Sequence, residues 1–233
     1  MTTRSLEVTR RLRDGILDGT YPGGTRMNEI DLAAALGVSR TPIRGALATL
    51  GAEGLLDYTP NSGYVVRRYT AADIADIYEV RGNLVGLAAR RAAERGLSDE
   101  ARGAIHRILD DCARLVRSGD WSDAVRAEWE PLNRQFHFTI QEAAGNPFLV
   151  EMIRRAAELP LLGHIRHQWY DAAEMVRAHD EHLEIADAIF HRQPLRAEAL
   201  ATEHVYRMGR RLARQWQRVE ERRMAEAAAD DAA

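Results

Sequence analysis

Three histidines and one asparagine carry the spacing in this 233-residue chain that most invites chemistry. In "NRQFHFTI", Asn133 and His137 stand at i and i+4, which places both on one face of a helix. His182 in "HDEHLEIADAIF" precedes His204 in "ATEHVYRM" by 22 residues. That is about the span of a helix, a short turn around Gln193-Pro194 and an antiparallel return that brings two side chains level. Asn133, His137, His182 and His204 can therefore converge inside a helical bundle, and imidazoles in such a cluster are metal donors. The competing reading is that each is a core or surface histidine. His179, one turn before His182, is a possible neighbour of the cluster, and His106, His164, His167 and His191 read as structural or surface residues.

A second set lies near the N-terminus, in "GVSRTPIRGALATL". Ser39, Arg40, Thr41 and Arg44 fall in the first turn of a short helix, where Pro42 costs no helical hydrogen bond. Arginine grips guanine O6/N7 or a phosphate in a bidentate way, and helix N-terminal amides add an anion site. The alternative is that these arginines are solvated charges on a small helical domain.

The elements that must position both sets follow from periodicity. "SLEVTRRLRDGILDG" reads as a first helix with Ser5 as its cap and Leu6, Val8, Leu12, Ile16 and Leu17 at near-helical spacing. "TYPGG" stops it. Asn28 caps "EIDLAAALG", whose Ile30, Leu32, Ala33 and Leu36 are expected on one side before Gly37 ends it. After the turn Gly37-Val38-Ser39, a third helix carries Ile43, Leu47 and Leu50 inward. Two short helices around such a turn make a helix-turn-helix, and "LLDY" and "GYVVRR" around "TPNSG" make a wing, with Gly63 allowing close backbone approach to DNA.

From Thr70, the expected cap of the next helix, the texture is helical throughout. "TAADIADIYEVRGNLVGLAARRAAERG" shows Ile74, Ile77, Tyr78, Arg81, Leu84, Leu87 and Ala88 on a repeating face. Further helices are expected at about 98–118, 121–144, 147–158, 173–192 and 194–222, with "ELPLLGHIR" an interrupted piece held by Pro160 and Gly163.

Composition bounds the reading. With 45% apolar and 29% charged residues the chain has the balance of a globular protein with a core. Net charge is -3, yet residues 1–70 hold nine Arg against seven Asp/Glu, so a small basic excess sits at the front. All 32 basic residues of the Lys+Arg count are arginine. Cys112 is the one cysteine, which excludes a disulfide framework and a Cys-rich zinc site. No apolar run reaches the roughly 18–20 residues of a membrane span and no signal-peptide core is present, so a cytoplasmic protein with no membrane partner is expected.

The stretch "YPGGTRMNEIDLAAALGVSRTPIRGALATLGAEGLLDYTPNSGYVV" resembles the winged-helix domain of the GntR family of bacterial transcription regulators. The resemblance rests on a Pro-Gly turn, a Leu-Ala pair, Ser-Arg-Thr-Pro-Ile-Arg, Ala-Leu, Glu-Gly-Leu and a Pro-x-x-Gly wing followed by valines. It implies DNA contacts from Arg40, Thr41 and Arg44, with the wing Gly63. Gly45 stands where that family usually has Glu, and Ile30 where some members place a DNA-contacting Arg.

The remainder is similar to the all-helical effector-binding FCD domain of the FadR subgroup. The Arg81 helix, Asn-x-x-Phe-His followed by "EAAGNPFL", the Glu-His helix and a final helix with one His carry that similarity. It implies a divalent metal held by Asn133, His137, His182 and His204, with Zn or Ni suited to the imidazoles. Asn133 replaces the Asp of many relatives, so the protein ligands carry no net charge and a bound organic acid would restore it. Val85 replaces a common Glu. Arg81 is an effector-carboxylate partner or, equally, a solvated or helix-pairing residue.

The fold class expected is thus mainly α, with an N-terminal winged helix-turn-helix domain over 1–69. An all-helical FCD-type effector-binding and dimerisation bundle follows over 70–222, with a frayed tail over 223–233. The function implied is a ligand-responsive regulator, a repressor as is most common in that family, binding a palindromic operator in double-stranded DNA as a homodimer and responding to a small organic acid. The metal is then a ligand platform or a structural clip. A metal-dependent enzyme with a DNA-binding appendage is the alternative, since three histidines with an open position also describe catalytic zinc. No general base is evident beside the site, because Glu181 points to a different helix face from His182.

Overall fold

A computed structural model of the chain describes residues 3–60, 63–157 and 171–230. Two compact units result, one ending at Thr70 and the next beginning at Ala71. The expected "ELPLLGHIR" piece, His164, His167 and the wing residues Asn61 and Ser62 lie outside the described residues.

The first unit contains α1 (Thr3–Leu17), α2 (Glu29–Leu36), α3 (Arg40–Ala52) and a hairpin of β1 (Leu56–Thr59) and β2 (Gly63–Val66). Asn28 caps α2 by accepting the Ile30 amide at 2.9 Å, and Gly37 ends it in the left-handed region at φ 64°. Val8, Leu12, Leu32, Ile43, Leu47, Leu50, Leu55 and Val66 form one core.

Three residues of this unit depart from the periodicity. Ser5 is not a cap: it lies inside α1 and is buried with Val8, Thr9 and Leu12, its carbonyl accepting the Thr9 hydroxyl at 2.9 Å. Leu6 sits one residue off that stripe and is 54% exposed. Ile30 is 60% exposed because two helical steps rotate it about 200° from Leu32.

The hairpin pairs antiparallel, Leu56 opposite Val66 and Thr59 opposite Gly63. Residues 24–27 extend it, a contact that no strand pattern announces. Met27 N donates to Tyr64 O at 2.9 Å, Val66 N to Thr25 O at 2.9 Å and Gly24 N to Val66 O at 2.7 Å. Arg13 of α1 clasps Glu53 beyond α3 at 2.7 Å, and Tyr69 donates to the Gly54 carbonyl at 2.7 Å, so the wing base is tied to the helices.

In the second unit the helices are α4 (Ala71–Arg95), α5 (Asp99–Ser118), α6 (Asp123–Ala143), α7 (Pro147–Ala157), α8 (Ala172–Phe190) and α9 (Pro194–Asp230). Ser98, Ser122 and Asp171 cap α5, α6 and α8 through their side chains. The last helix continues to Asp230, beyond the expected end at 222, through an Ala-rich run of strong helix formers.

Close packing of α4 on α9 is built on small residues. A Cβ at Gly86 would stand 2.0 Å from Thr202 Oγ1, and one at Gly209 would stand 2.1 Å from Tyr78 Cβ. The buried face of α4 therefore runs through Ile74, Tyr78, Gly82, Val85, Gly86 and Ala89. Leu87, expected inward, is 39% exposed. Close approach of the two backbones replaces large side chains as the means of burial.

Candidate functional site

Helices α6, α8 and α9 each deliver one histidine to a common point. His137 of α6, His182 of α8 and His204 of α9 have ring centroids 4.9, 5.2 and 4.9 Å apart in turn, and each offers a nitrogen within 4.8 Å of the others. Donors on a tetrahedral ion with bonds of about 2.0–2.1 Å are about 3.4 Å apart, so small ring rotations bring the three onto one ion. Val85, Ala89, Ile140, Gln141, Ile185 and Ala201 complete a small cavity beside His137 and His204. Its room of about 10 Å³ matches one water or ion.

His182 is the centre of this arrangement. It is fully buried, and both ring nitrogens lack a hydrogen-bond partner. Phe136 stacks on it at 4.2 Å and Trp129 lies parallel at 6.4 Å, which locks the ring. Burial, and then the neighbouring His204, His137 and His179, push its pKa well below the ordinary histidine value, so the imidazole is neutral. Two orphaned nitrogens in an apolar wall are costly unless something binds them, and a lone pair held neutral is what a metal ion requires.

His204 is oriented from behind. Its Nδ1 lies 2.6 Å from Glu181 Oε2, which leaves Nε2 as its metal-competent nitrogen. Glu181 does leave the His182 face of α8, as its spacing predicts, but it crosses to α9 and was missed for that reason. Arg207 grips Glu181 and also Glu174, at 3.4 Å. Arg211 bridges Glu174 at 2.6 Å and Asp171 at 2.7 Å. Asp171 to His204 is thus one chain of polar contacts anchored on buried Glu174.

Asn133 is half-buried one turn before His137, on its face of α6, and follows Pro131, which removes an amide donor from that turn. His179 is buried one turn before His182, with its pKa lowered by burial, and does not join the three-histidine group. Arg81 lies one turn before the cavity-lining Val85 on α4, with its guanidinium 4.6 Å over the Tyr78 ring and its buried Nε without an acceptor. Burial pushes the Cys112 thiol up to about 12, which makes it inert.

The other predicted set is on the first unit's surface. Ser39, Arg40, Thr41 and Arg44 are all exposed at the start of α3, and the Ser39 hydroxyl makes no cap bond. Gly63 opens β2 at φ 78°, with nothing within 4 Å of an added Cβ. Glu29, the first residue of α2, holds both arginines: Arg40 at 3.0 Å and Arg44 at 3.1 Å. Those bonds, Arg44 first, lower the Glu29 pKa. Sequence reasoning missed Glu29, for which only its acidic type near a basic turn was a signal.

Comparison with known proteins joins these sites. The FCD domain family matches residues 76–207, and the gntR family of bacterial regulatory proteins matches residues 4–66. The Nta operon transcriptional regulator of Aminobacter aminovorans is 32% identical over 183 residues, 78% of this chain and 81% of that protein. The HTH-type transcriptional repressor GlaR of Escherichia coli is 29% identical over 217 residues, 88% of this chain and 94% of that one. Among solved structures, E. coli McbR/YncC aligns over 93% of this chain and all of its own with a TM-score of 0.60 at 22% identity. At that identity the likeness speaks for the fold.

Proposed function

This chain belongs to the GntR family of bacterial regulatory proteins and carries its FCD domain, and from that premise we propose that it is a metal-containing, effector-responsive repressor. It is a DNA-binding transcriptional regulator and not an enzyme, as its named relatives are regulators. Among the described residues no helix is long and apolar enough to cross a membrane. A cytoplasmic place of action accords with the regulator reading.

The observation that carries the metal reading is the convergence of His137, His182 and His204 with both His182 nitrogens orphaned. The ion, Zn or Ni, would be held by those three, with the Asn133 carbonyl oxygen as fourth ligand. When bound, it supplies open coordination positions to a carboxylate. Arg81, one turn from the cavity, is suited to a second carboxylate oxygen. The effector class is accordingly a small organic acid.

DNA recognition falls to Ser39, Arg40, Thr41 and Arg44 at the exposed mouth of α3, with Gly63 admitting a phosphate backbone to the wing. A homodimer on a palindromic operator follows from matching protein and DNA two-fold symmetry. Effector binding needs to favour one operator-binding state by only about 1–3 kcal/mol to change affinity about 5–150-fold.

The test is fluorescence anisotropy on the DNA upstream of the protein's own gene, with metal-loaded protein, metal-stripped protein and His182→Ala, each titrated with a panel of small organic acids. The expected result is tight binding to a palindrome, with an affinity that shifts with one acid in the metal-loaded protein alone. Equal shifts in all three proteins would refute the metal as effector platform, and absence of a binding palindrome would refute the operator assignment.

A further inference from the structure

We propose that the face shared by α8 and α9 is a second ligand site, for a small polyanion carrying two or more phosphate or carboxylate groups. It is distinct from the histidine cluster. Arg207, Arg211, Arg214 and Arg218 recur at i, i+4, i+7 and i+11 on α9, hence on one helical face. With Glu174 and Arg177 of α8 they line a groove of about 230 Å³. Five arginines line it with one glutamate, and Glu181 and Asp171 beside it pair with two of them, which leaves a local positive excess in a chain whose net charge is -3.

The arginines differ in their partners, and the difference defines the site. Arg207 and Arg211 are fixed by Glu181, Glu174 and Asp171, with Glu174 only 2% exposed beneath them. They form a rigid floor. Arg177, Arg214 and Arg218 form no ion pair among the described residues, and the buried Arg207 Nε has no acceptor. A solvated helix face alternates charges, as Arg10 does with Glu7 and Asp14 on α1. Like charges at i, i+3 and i+4 are unfavourable on an isolated helix, so this stripe is stabilised when an anion lies along it.

Guanidinium forks match phosphate and carboxylate oxygens alike, which fixes the shared chemistry. Arg214 and Arg218 are about 6 Å apart along the axis, and Arg207 and Arg218 about 16 Å. A ligand with two separated anionic groups spans them; a monovalent one engages a single turn. A concave groove of this volume suits a small molecule better than a duplex. Because Arg207 also grips Glu181, which supports His204, occupancy of the groove is linked to the metal centre. That link rests on the metal reading; the anion site does not.

Calorimetry on metal-stripped full-length protein, with inorganic pyrophosphate and with citrate as probes, tests the site. The wild type is expected to bind at least one probe with affinity that falls as salt rises. Arg214→Gln with Arg218→Gln is expected to weaken it about 10-fold or more, and Arg177→Gln separately to weaken it from the α8 side. Tighter pyrophosphate points to a phosphorylated ligand and tighter citrate to a polycarboxylate, either of which supports the proposal. No binding of either probe, or unchanged binding in both arginine variants, overturns it. So does a result in which the arginine variants alter only DNA affinity or oligomeric state.

Discussion

His204 Nδ1 and Glu181 Oε2 stand 2.6 Å apart, joining α9 to α8 immediately behind the three-histidine cluster. A carboxylate there fixes which nitrogen of His204 keeps its lone pair and how the ring is oriented. Glu181→Gln keeps an acceptor oxygen but removes the charge. Metal affinity in a competition assay with a chromophoric chelator is expected to fall about 10–100-fold, with helix content unchanged. Wild-type affinity in this variant would mean that Glu181 serves only Arg207.

The burial of His182 sets a pH dependence in the metal-free protein. Held neutral in the fold, it binds no proton at mildly acid pH, whereas the unfolded chain takes one up near pH 6.5. Below that pH the unfolded state therefore binds more protons, and stability falls as pH drops. Above it the contribution is flat. His179, also lowered by burial, adds in the same direction. Urea unfolding at pH 7.5 and 5.5 is expected to show a loss approaching about 1.4 kcal/mol per unit below 6.5 from His182, with a smaller addition from His179. His182→Leu should remove its share, and an identical pH profile in that variant would contradict the assignment.

Legibility in the sequence followed the range of the interaction. The caps at Asn28 and Gly37, the turn before α3 and the i, i+4 pair Asn133 and His137 depend on a few adjacent residues, and they could be placed from the chain alone. The meeting of His137, His182 and His204 was foreseen because helix and turn lengths limit where a return helix can go. Glu181 and Glu29 were not, since their partners lie 23 and 11 to 15 residues away on other helices. Leu6, Ile30 and Leu87 are apolar by type, but each lies off the buried angle of its helix and is exposed. On α4, Gly82 and Gly86 read as weak helix formers until the α9 backbone gave them a packing role.

Glu29 holds Arg40 and Arg44 in the absence of DNA, so it both orders them and competes with phosphate. Arg40→Ala or Arg44→Ala is expected to cost about 1–3 kcal/mol of operator binding where the residue reads a base. A lost phosphate contact should instead reduce the salt slope by about 1. Glu29→Gln removes a negative charge from the DNA-facing surface. Anisotropy titrations should show it binding random-sequence DNA more tightly while gaining less on the operator, so its specificity ratio drops. A rise of equal size on both DNAs would leave Glu29 without a part in discrimination.

Gly45 is the residue in α3 whose identity packing does not require. An added Cβ would meet only Ser5 Oγ at 3.5 Å, an ordinary contact, and its backbone is not in the left-handed region. Its carbonyl already accepts the Thr49 hydroxyl at 2.9 Å, which alanine would preserve. Gly45→Ala should therefore raise stability by about 0.5–1 kcal/mol through the unfolded chain's lost freedom. The contrast is Gly63, where φ 78° disfavours any side chain despite open space, so Gly63→Ala should cost about 1 kcal/mol. Chemical denaturation of both variants separates conformational strain from crowding: equal and opposite shifts support this account, and destabilisation by Gly45→Ala would show that α1 and α3 approach too closely for a methyl group.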